Sequence, residues 1–300
     1  MRILASVVTY NRKDLLERCV DHILAQSRPP DRLLVINNSS SDGTIEMLEA
    51  KGVDYVTQAN LGSAGGWARA IDEAIAGGFD AVWLMDDDGY PDPAALAVLE
   101  GSLVDGVACV SSVVLREGEH SHFVFPFPKL NPAGNPVLVG APRKIPTLEG
   151  LRAAAPDGLY PFAHLFNGAL VSVAAARVIG NVCPDYFMFG DEVDYFMRLR
   201  RVGPVVSHLD ARHYHPDVTK RPLSPEKVYY FIKNTIILNH LYFDRRKLRN
   251  VMAVAVALVR TARRNSPGMA LSYVAGPRSP TLWKAITRGL KGRIGKDFDA

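Results

Sequence analysis

The sequence predicts an α/β fold, a mostly parallel Rossmann-like sheet flanked by helices with a helical, basic C-terminal extension. Three observations carry this. Short β-branched apolar runs alternate with segments whose apolar residues recur at helical spacing. The unusual polar and glycine-rich clusters of the N-terminal third fall where strands give way to helices. Beyond about residue 245 the chain turns strongly basic.

Ile3 to Tyr10 reads as a buried strand, because its residues are apolar and β-branched. Asn11 can cap the helix Arg12 to Gln26, whose apolar stripe is Leu15, Leu16, Val20, Ile23 and Leu24, and Pro29 and Pro30 stop it. Leu33 to Asn37 is a second strand, followed by the polar turn Asn38 to Thr44. A short helix to Ala50 and a strand over Asp54 to Thr57 come next. Asn60 to Gly66 is a glycine-rich turn before a helix, Trp67 to Ala76. Ala81 to Met85 is the fourth strand, and it delivers Asp86, Asp87, Asp88 and Gly89. Val107 to Leu115 is a further strand. Arg116 to about Leu159, rich in proline, is expected to be irregular and to lie over a cleft. Phe166 to Ser172 reads as a turn and strand. Asp191, Glu192 and Asp194 open a helix that ends near Arg201, an order that also suits the helix dipole. A strand at Val205 to Leu209 precedes His213-Tyr214-His215. Helices are predicted over Pro225–Asn239, Lys247–Arg264 and Ser279–Lys291.

Composition bounds the answer. The 300 residues are 48% hydrophobic and 22% charged, as in a globular protein with a real core. Three widely spaced cysteines imply neither a disulfide framework nor a zinc site and fit a reducing cytoplasm. The apolar N-terminus is too short for a signal peptide, and no run is long enough to cross a membrane. The net charge of +4 hides an asymmetry: residues 245–300 hold 13 Lys or Arg against 2 acidic residues, and the rest holds 22 against 29. Such a tail suits an anionic membrane surface, a lipid phosphate or nucleic acid, or is simply a solvated face.

In a parallel sheet, ligands bind at the carboxyl ends of the strands. Thr9–Arg12, Asn37–Asp42, Asn60–Gly66 and Asp86–Gly89 all lie there, so one cleft could collect them. The glycine-rich turn offers backbone N–H groups to phosphate, but neither a G-x-G-x-x-G nor a P-loop pattern is present. A carboxylate cluster at the end of a buried strand is either a solvated acidic turn or a divalent-metal site. The carboxylates at 191–194 are either helix-capping charge or a general base.

Taken together these stretches resemble the family 2 glycosyltransferases of the GT-A fold, over residues 1 to about 245 in consistent order. The motifs are Val8–Arg12, Asn37–Thr44, Asn60–Gly66, Met85–Asp88, Phe166–Ala169 and Gly190–Asp194. Within that family the set looks most like bacterial galactofuranosyltransferases. The resemblance implies that Thr9, Tyr10, Asn11, Arg12 and Asn38 border a uridine pocket, and that Asn60, Gly62, Gly65, Gly66, Arg69 and Asp87 approach the nucleotide. It implies that Asp86, Asp88 and His215 hold Mn²⁺ or Mg²⁺, with Asp87 turned toward the nucleotide or solvent. Glu192 stands at the family's catalytic-base position with Asp191 beside it, here in the reverse of the commoner Glu-Asp order. Trp67, Phe166, Asn167, Gly168, Asp194 and His213 would line the acceptor side.

The implied domains are a catalytic domain over 1–244, with a nucleotide-sugar half to about 115 and an acceptor half over 116–244, and a basic extension over 245–300. The implied reaction is an inverting transfer from a UDP-sugar, UDP-galactofuranose first, to a lipid-linked or polysaccharide acceptor in cell-surface glycan synthesis. The enzyme would be cytoplasmic and peripheral on the inner face of the plasma membrane, held through its basic helices, with no nucleic-acid partner. The alternatives are a dTDP-rhamnose-dependent rhamnosyltransferase, a nucleotidyltransferase, and a non-catalytic sugar- or nucleic-acid-binding module.

Overall fold

The structure is a computed structural model that describes residues 1–218 and 221–298. Thr219 and Lys220 of the expected acceptor half, and Asp299 and Ala300 of the expected extension, lie outside the described residues. The chain forms two compact units, Met1–Val182 with Tyr195–Asp217, and Cys183–Asp194 with Val218–Ala300. The division therefore differs from the expected boundary at 244/245.

The first unit begins with the predicted alternation: β1 (Ile3–Thr9), α1 (Lys13–Leu24), β2 (Arg32–Asn37), α2 (Thr44–Ala50), β3 (Asp54–Thr57), α3 (Gly62–Ala76) and β4 (Ala81–Asp86). These strands are parallel in the order β3-β2-β1-β4. Every residue of β1 is buried, Ser6 and Thr9 included, which its largely apolar run anticipates. One boundary moves. The glycine-rich stretch is the first turn of α3 and not a loop before it. Asn60 Oδ1 accepts from the Gly62 N–H at 3.0 Å and so starts the turn. A Cβ on Gly66 would lie 2.4 Å from Val8 Cγ1, so α3 can rest on β1 only where no side chain intervenes.

After β4 come β5 (Tyr90–Pro91), α4 (Ala95–Ser102), β6 (Cys109–Arg116), β7 (Glu119–Pro128), β8 (Lys144–Thr147), α5 (Leu148–Ala154), β9 (Leu159–Tyr160), β10 (Asn167–Ser172) and α6 (Val173–Ile179). Then follow α7 (Asp191–Leu199), within which the two units divide, and β11 (Val205–His215). The sheet continues as β4-β10-β6-β11-β5, and here it is mixed: β10 is antiparallel to β4 and β6, and β11 is parallel to β6. The segment expected to be irregular is so chiefly over 129–143; most of the rest forms β7, β8 and α5, packed on a core of Val113, Leu115, Phe123, Phe127, Ile145 and Leu151. Pro126 falls inside the break in the β7–β8 register between His122 and Phe127, and Pro128 is the last residue of β7, opposite Lys144. His213 and His215 belong to one long strand with Val205, which shifts register between His208 and Arg212.

The second unit contains a 3-10 turn (Pro184–Tyr186), α8 (Pro225–Tyr242), α9 (Arg246–Arg264), α10 (Pro267–Ala275) and α11 (Ser279–Leu290). α8 joins the C-terminal helices because they share a core that includes Tyr229, Ile236, Ala257, Tyr273, Leu282 and Ala285. The sequence reading missed α10, although Ser266 caps it at Met269 N and Pro267 occupies its first turn. No described helix is long and apolar enough to cross a membrane. A charge cluster is sealed into this unit. Lys233, fully buried, pairs with Asp297 at 2.6 Å. Asp297 also takes Arg288 at 2.6 Å and the Tyr229 hydroxyl at 2.9 Å. Burial pulls the Lys233 ammonium below its ordinary pKa, and Asp297 opposes that pull.

Removing one partner of a buried pair strands the other. Asp297→Ala is expected to destabilise the second unit by about 3–5 kcal/mol. Urea unfolding of the full chain checks this, and an unchanged midpoint would show that Arg288, Tyr229 and Lys233 need no carboxylate.

Candidate functional site

β1 and β4 are neighbours in parallel register, with Val8 opposite Asp86. Their carboxyl ends therefore bring Thr9–Arg12 and Asp86–Gly89 together, as the alternation implied. Thr9 Oγ1 donates to Asp87 Oδ2 at 2.8 Å. One guanidinium nitrogen of Arg12 reaches Asp87 Oδ1 at 2.9 Å and Asp88 Oδ2 at 3.1 Å. Asp87 is thus buried and turned inward, not toward solvent. Its burial pushes its carboxyl up, against the opposing pull of Arg12 and Thr9.

The end of β11 adds His215, whose Nε2 lies 2.9 Å from Asp88 Oδ1, both residues being buried. His215 Nδ1 lies 2.7 Å from the Pro216 carbonyl, which can only accept, so Nδ1 carries a hydrogen. In the neutral ring Nε2 is then a lone pair facing a carboxylate oxygen. Only a proton or a metal ion reconciles the two. Neighbouring ligands at right angles on an ion with bonds of about 2.0–2.1 Å lie about 2.9–3.0 Å apart, so the pair fits Mg²⁺ or a similar ion. Asp86 does not complete the expected trio: no three His, Cys, Asp or Glu side chains among the described residues form a ready cation site. That suits an ion of this kind, which usually takes one or two protein ligands and fills its shell with water and substrate phosphate.

The other residues named from the sequence divide into exposed and packed. Tyr10 is exposed. Asn11, at φ 51°, ties two loops by accepting from Ser41 N at 2.8 Å and donating its N–H to Ser40 Oγ at 2.9 Å. Asn38 is buried, its Oδ1 held by Gln58 Nε2 at 2.9 Å. Arg69 pairs with Glu73 along α3. Gly65 and Gly66 are buried, and their missing side chains make room for Leu61 and Val8. Trp67, expected on the acceptor side, is buried and stacks on Phe166 with centroids 4.5 Å apart and planes 9° apart. The pair is core because α3 lies with its Trp67 face inward.

His213, also expected on the acceptor side, is fully buried, and its pKa is pushed down to about 3 by burial and then by His215. A Cβ on Gly89 would meet His213 Nε2 at 2.2 Å, which explains the glycine after the three aspartates. Gly168, at φ 86°, approaches both Ser112 Oγ and His213 Nδ1. Ser112 Oγ, both His213 nitrogens and Asn167 Oδ1 are buried without a partner among the described residues. Sequence reasoning missed Arg18, which donates to the Asp88 carbonyl at 3.3 Å and lies over the Tyr90 ring. It also missed Gln58 and Ser112. No local signal marks any of them.

The second unit carries the other acidic group. Asp191 is 4% exposed, and burial followed by the charge of Glu192 raises its pKa to about 7. Glu192 is half-buried. Asp194, expected to bind acceptor, is buried and accepts from the Tyr242 hydroxyl at 2.5 Å.

Known proteins agree with this architecture. Residues 5–133 match the model of glycosyl transferase family 2. The galactofuranosyltransferase GlfT1 of Mycobacterium tuberculosis is 36% identical over 225 residues, 71% of this chain and 70% of that protein. Its counterpart in Mycolicibacterium smegmatis is 32% identical over 222 residues, again 71% and 70%. Among solved structures, the mannosyltransferase PcManGT from Pyrobaculum calidifontis, in complex with GDP-Man and Mn²⁺, superposes with a TM-score of 0.55 at 16% identity. That match covers 96% of this chain and 85% of PcManGT. S. aureus TarS 1–349 in complex with UDP gives 0.54 at 15% identity, over 97% and 81%. These two likenesses concern the fold. The chain belongs to glycosyl transferase family 2, with a GT-A fold, and is a glycosyltransferase of the galactofuranosyltransferase-like kind.

Proposed function

We propose that the chain is an inverting, divalent-metal-dependent galactofuranosyltransferase. It moves galactofuranose from UDP-galactofuranose to a lipid-linked or polysaccharide acceptor in bacterial cell-surface glycan synthesis. The similarity to the galactofuranosyltransferases GlfT1 supports the sugar. The observation that carries the chemistry is the buried Asp88–His215 pair, two acceptors that a cation reconciles.

Asp88 and His215 hold Mn²⁺ or Mg²⁺, and Arg12 holds Asp87 and Asp88 in place for it. When bound, the ion supplies charge neutralisation to the departing nucleoside diphosphate. Tyr10, exposed beside Asn11, offers a ring face to the base. Asp191 takes the proton of the acceptor hydroxyl as that oxygen bonds to the anomeric carbon and the bond to UDP breaks. A base whose pKa lies near 7 is matched to that task. Glu192 is the second candidate. One displacement with no protein nucleophile inverts the anomeric configuration.

The second unit supplies the membrane contact. Trp283 is 62% exposed on α11, Leu248 and Val251 are exposed on α9, and Arg245, Arg246 and Lys247 open α9. Apolar tips among cations suit a peripheral site on the inner leaflet of the plasma membrane.

Activity with UDP-galactofuranose, set against dTDP-rhamnose on one lipid-linked acceptor, tests the donor; preference for dTDP-rhamnose would overturn it. Asp88→Asn and His215→Ala are each expected to lower kcat on the order of 10²–10³-fold and to weaken Mn²⁺-dependent UDP binding in calorimetry. Metal-independent binding of equal strength would refute the site. The rate should rise with pH through about 7, as Asp191 loses its proton. Asp191→Asn should remove that limb and cost about 10²–10⁴-fold, more than Glu192→Gln. The raised pKa has the opposite sign for folding: the contribution of Asp191 is greatest below its ordinary carboxyl range and falls as pH climbs to 7. Vesicles containing anionic phosphatidylglycerol should retain the protein at low salt, and Trp283→Ala should weaken retention. Equal retention on neutral vesicles would rule out the charge-led contact.

A further inference from the structure

We propose that Asn234 is the positioning residue of the acidic pair: from α8 it holds segment 186–190 in the strained backbone from which Asp191 and Glu192 start. The proposal rests on the reading of that pair as the base end of the transferase, and every residue in it belongs to the second unit.

Asn234 is fully buried in the middle of α8. Its Nδ2 donates to three carbonyls of one short segment: Tyr186 at 3.1 Å, Met188 at 3.0 Å and Phe189 at 2.6 Å. An amide nitrogen has two hydrogens, so at least one is shared. Its Oδ1 has no partner among the described residues, so the grip is exerted by the donor alone.

What it grips is not relaxed chain. Phe187 sits at φ 62° and ψ −58°, and Met188 N donates back to Tyr186 O at 2.7 Å. That is a γ-turn of the rare, strained hand, not its common inverse. Phe189 follows at φ 58° and Gly190 at φ 100°. Two phenylalanines in the left-handed region persist only where the surroundings over-determine them. Gly190 is needed for its φ and for closeness, because a Cβ there would lie 3.0 Å from the Cβ of Asn234. Gly190 O then accepts from Asp194 N at 2.9 Å, the first bond of the helical turn that carries Asp191 and Glu192. The turn inherits its direction from the strained segment.

A second clamp acts beside the first. Lys233, the residue before Asn234, donates to Gly295 O at 2.8 Å, and Gly295 N donates to Asp185 O at 2.8 Å. Lys296 Nζ lies 5.3 Å from the centre of the Phe187 ring. A buried asparagine that merely filled the core would not need three carbonyls within one four-residue stretch of the loop next to the proposed base.

The test is steady-state kinetics of Asn234→Asp, which keeps the shape and removes the donor, and of Asn234→Ala. Each is expected to lower kcat at least 30-fold while KM for UDP-galactofuranose and the UDP dissociation constant stay within about threefold. The rate limb near pH 7 should shift or disappear. Hydrogen exchange should speed up in residues 186–194 more than elsewhere in the second unit. Should these variants fold poorly, Asn234→Ala with Phe189→Gly relieves the positive φ; it is expected to recover thermal stability but not kcat. Folded variants with wild-type kcat and an unmoved pH limb would overturn the proposal, as would recovery of kcat together with stability in the double variant. A wild-type chain that transfers no sugar would instead defeat the functional reading. In that case the exchange of 186–194 decides the positioning, and unchanged protection in Asn234→Ala overturns it.

Discussion

The first unit depends on one constraint: a buried central strand ends in three adjacent carboxylates. Left alone they would repel one another and resist burial. The fold answers with cations and donors drawn from distant parts of the chain. Arg12 spans Asp87 and Asp88, Thr9 holds Asp87 from the end of β1, and His215 meets Asp88 from the end of β11. The ends of β1, β4 and β11 are thereby tied to one point. Gly89 is part of the same solution, because its missing side chain is the space that His213 fills. A histidine nitrogen and a carboxylate oxygen held 2.9 Å apart under cover need a proton or a metal ion between them, which makes the pair a seat for a cation. The sheet that needs the charge resolved is also the sheet that presents it at its ligand-binding end.

The second unit meets a related demand at neighbouring residues of α8. Lys233 gathers the C-terminal segment through Asp297 and Gly295, while Asn234 gathers the strained turn before Asp191. One stretch of one helix therefore organises both the packing of the C-terminal helices and the start of the acidic helix. The uneven environments of Asp191 and Glu192 follow from this. Asp191 is drawn into cover, where burial raises its pKa toward neutrality, and Glu192 stays half-buried. Environments that differ across a pair of carboxylates are what assign distinct roles to them.

Much of this was legible in the chain itself, where the cause is local. Runs such as Ile3–Thr9 are strands on both accounts because a short, mostly apolar stretch with several β-branched residues suits a strand covered on both faces. Asp86–Asp88 stood out because three carboxylates after an apolar strand need explanation by themselves. His215 was named through the family resemblance, which sets a histidine beside the aspartates. The errors share one origin. The glycines of Asn60–Gly66 were read as a loop, yet they are helix because Val8, far away in sequence, needs the space above Gly66. Trp67 and His213 looked available to ligand, yet both are core. The prolines of 116–159 suggested irregular chain, which holds for 129–143, yet β7 pairs with β6 and the segment has its own core.

By itself, then, the sequence determined the alternation of the first four strands with their helices, the family, and which kinds of side chain stand at the strand ends, because local periodicity and short motifs encode these. Only the tertiary structure decided that Asp87 turns inward to Arg12 and Thr9, that Asp88 and His215 meet without Asp86, and that Asn234 reaches the turn before Asp191. Each of those facts joins residues more than forty positions apart or depends on which face is covered. Burial and long-range hydrogen bonding, not spacing, set them.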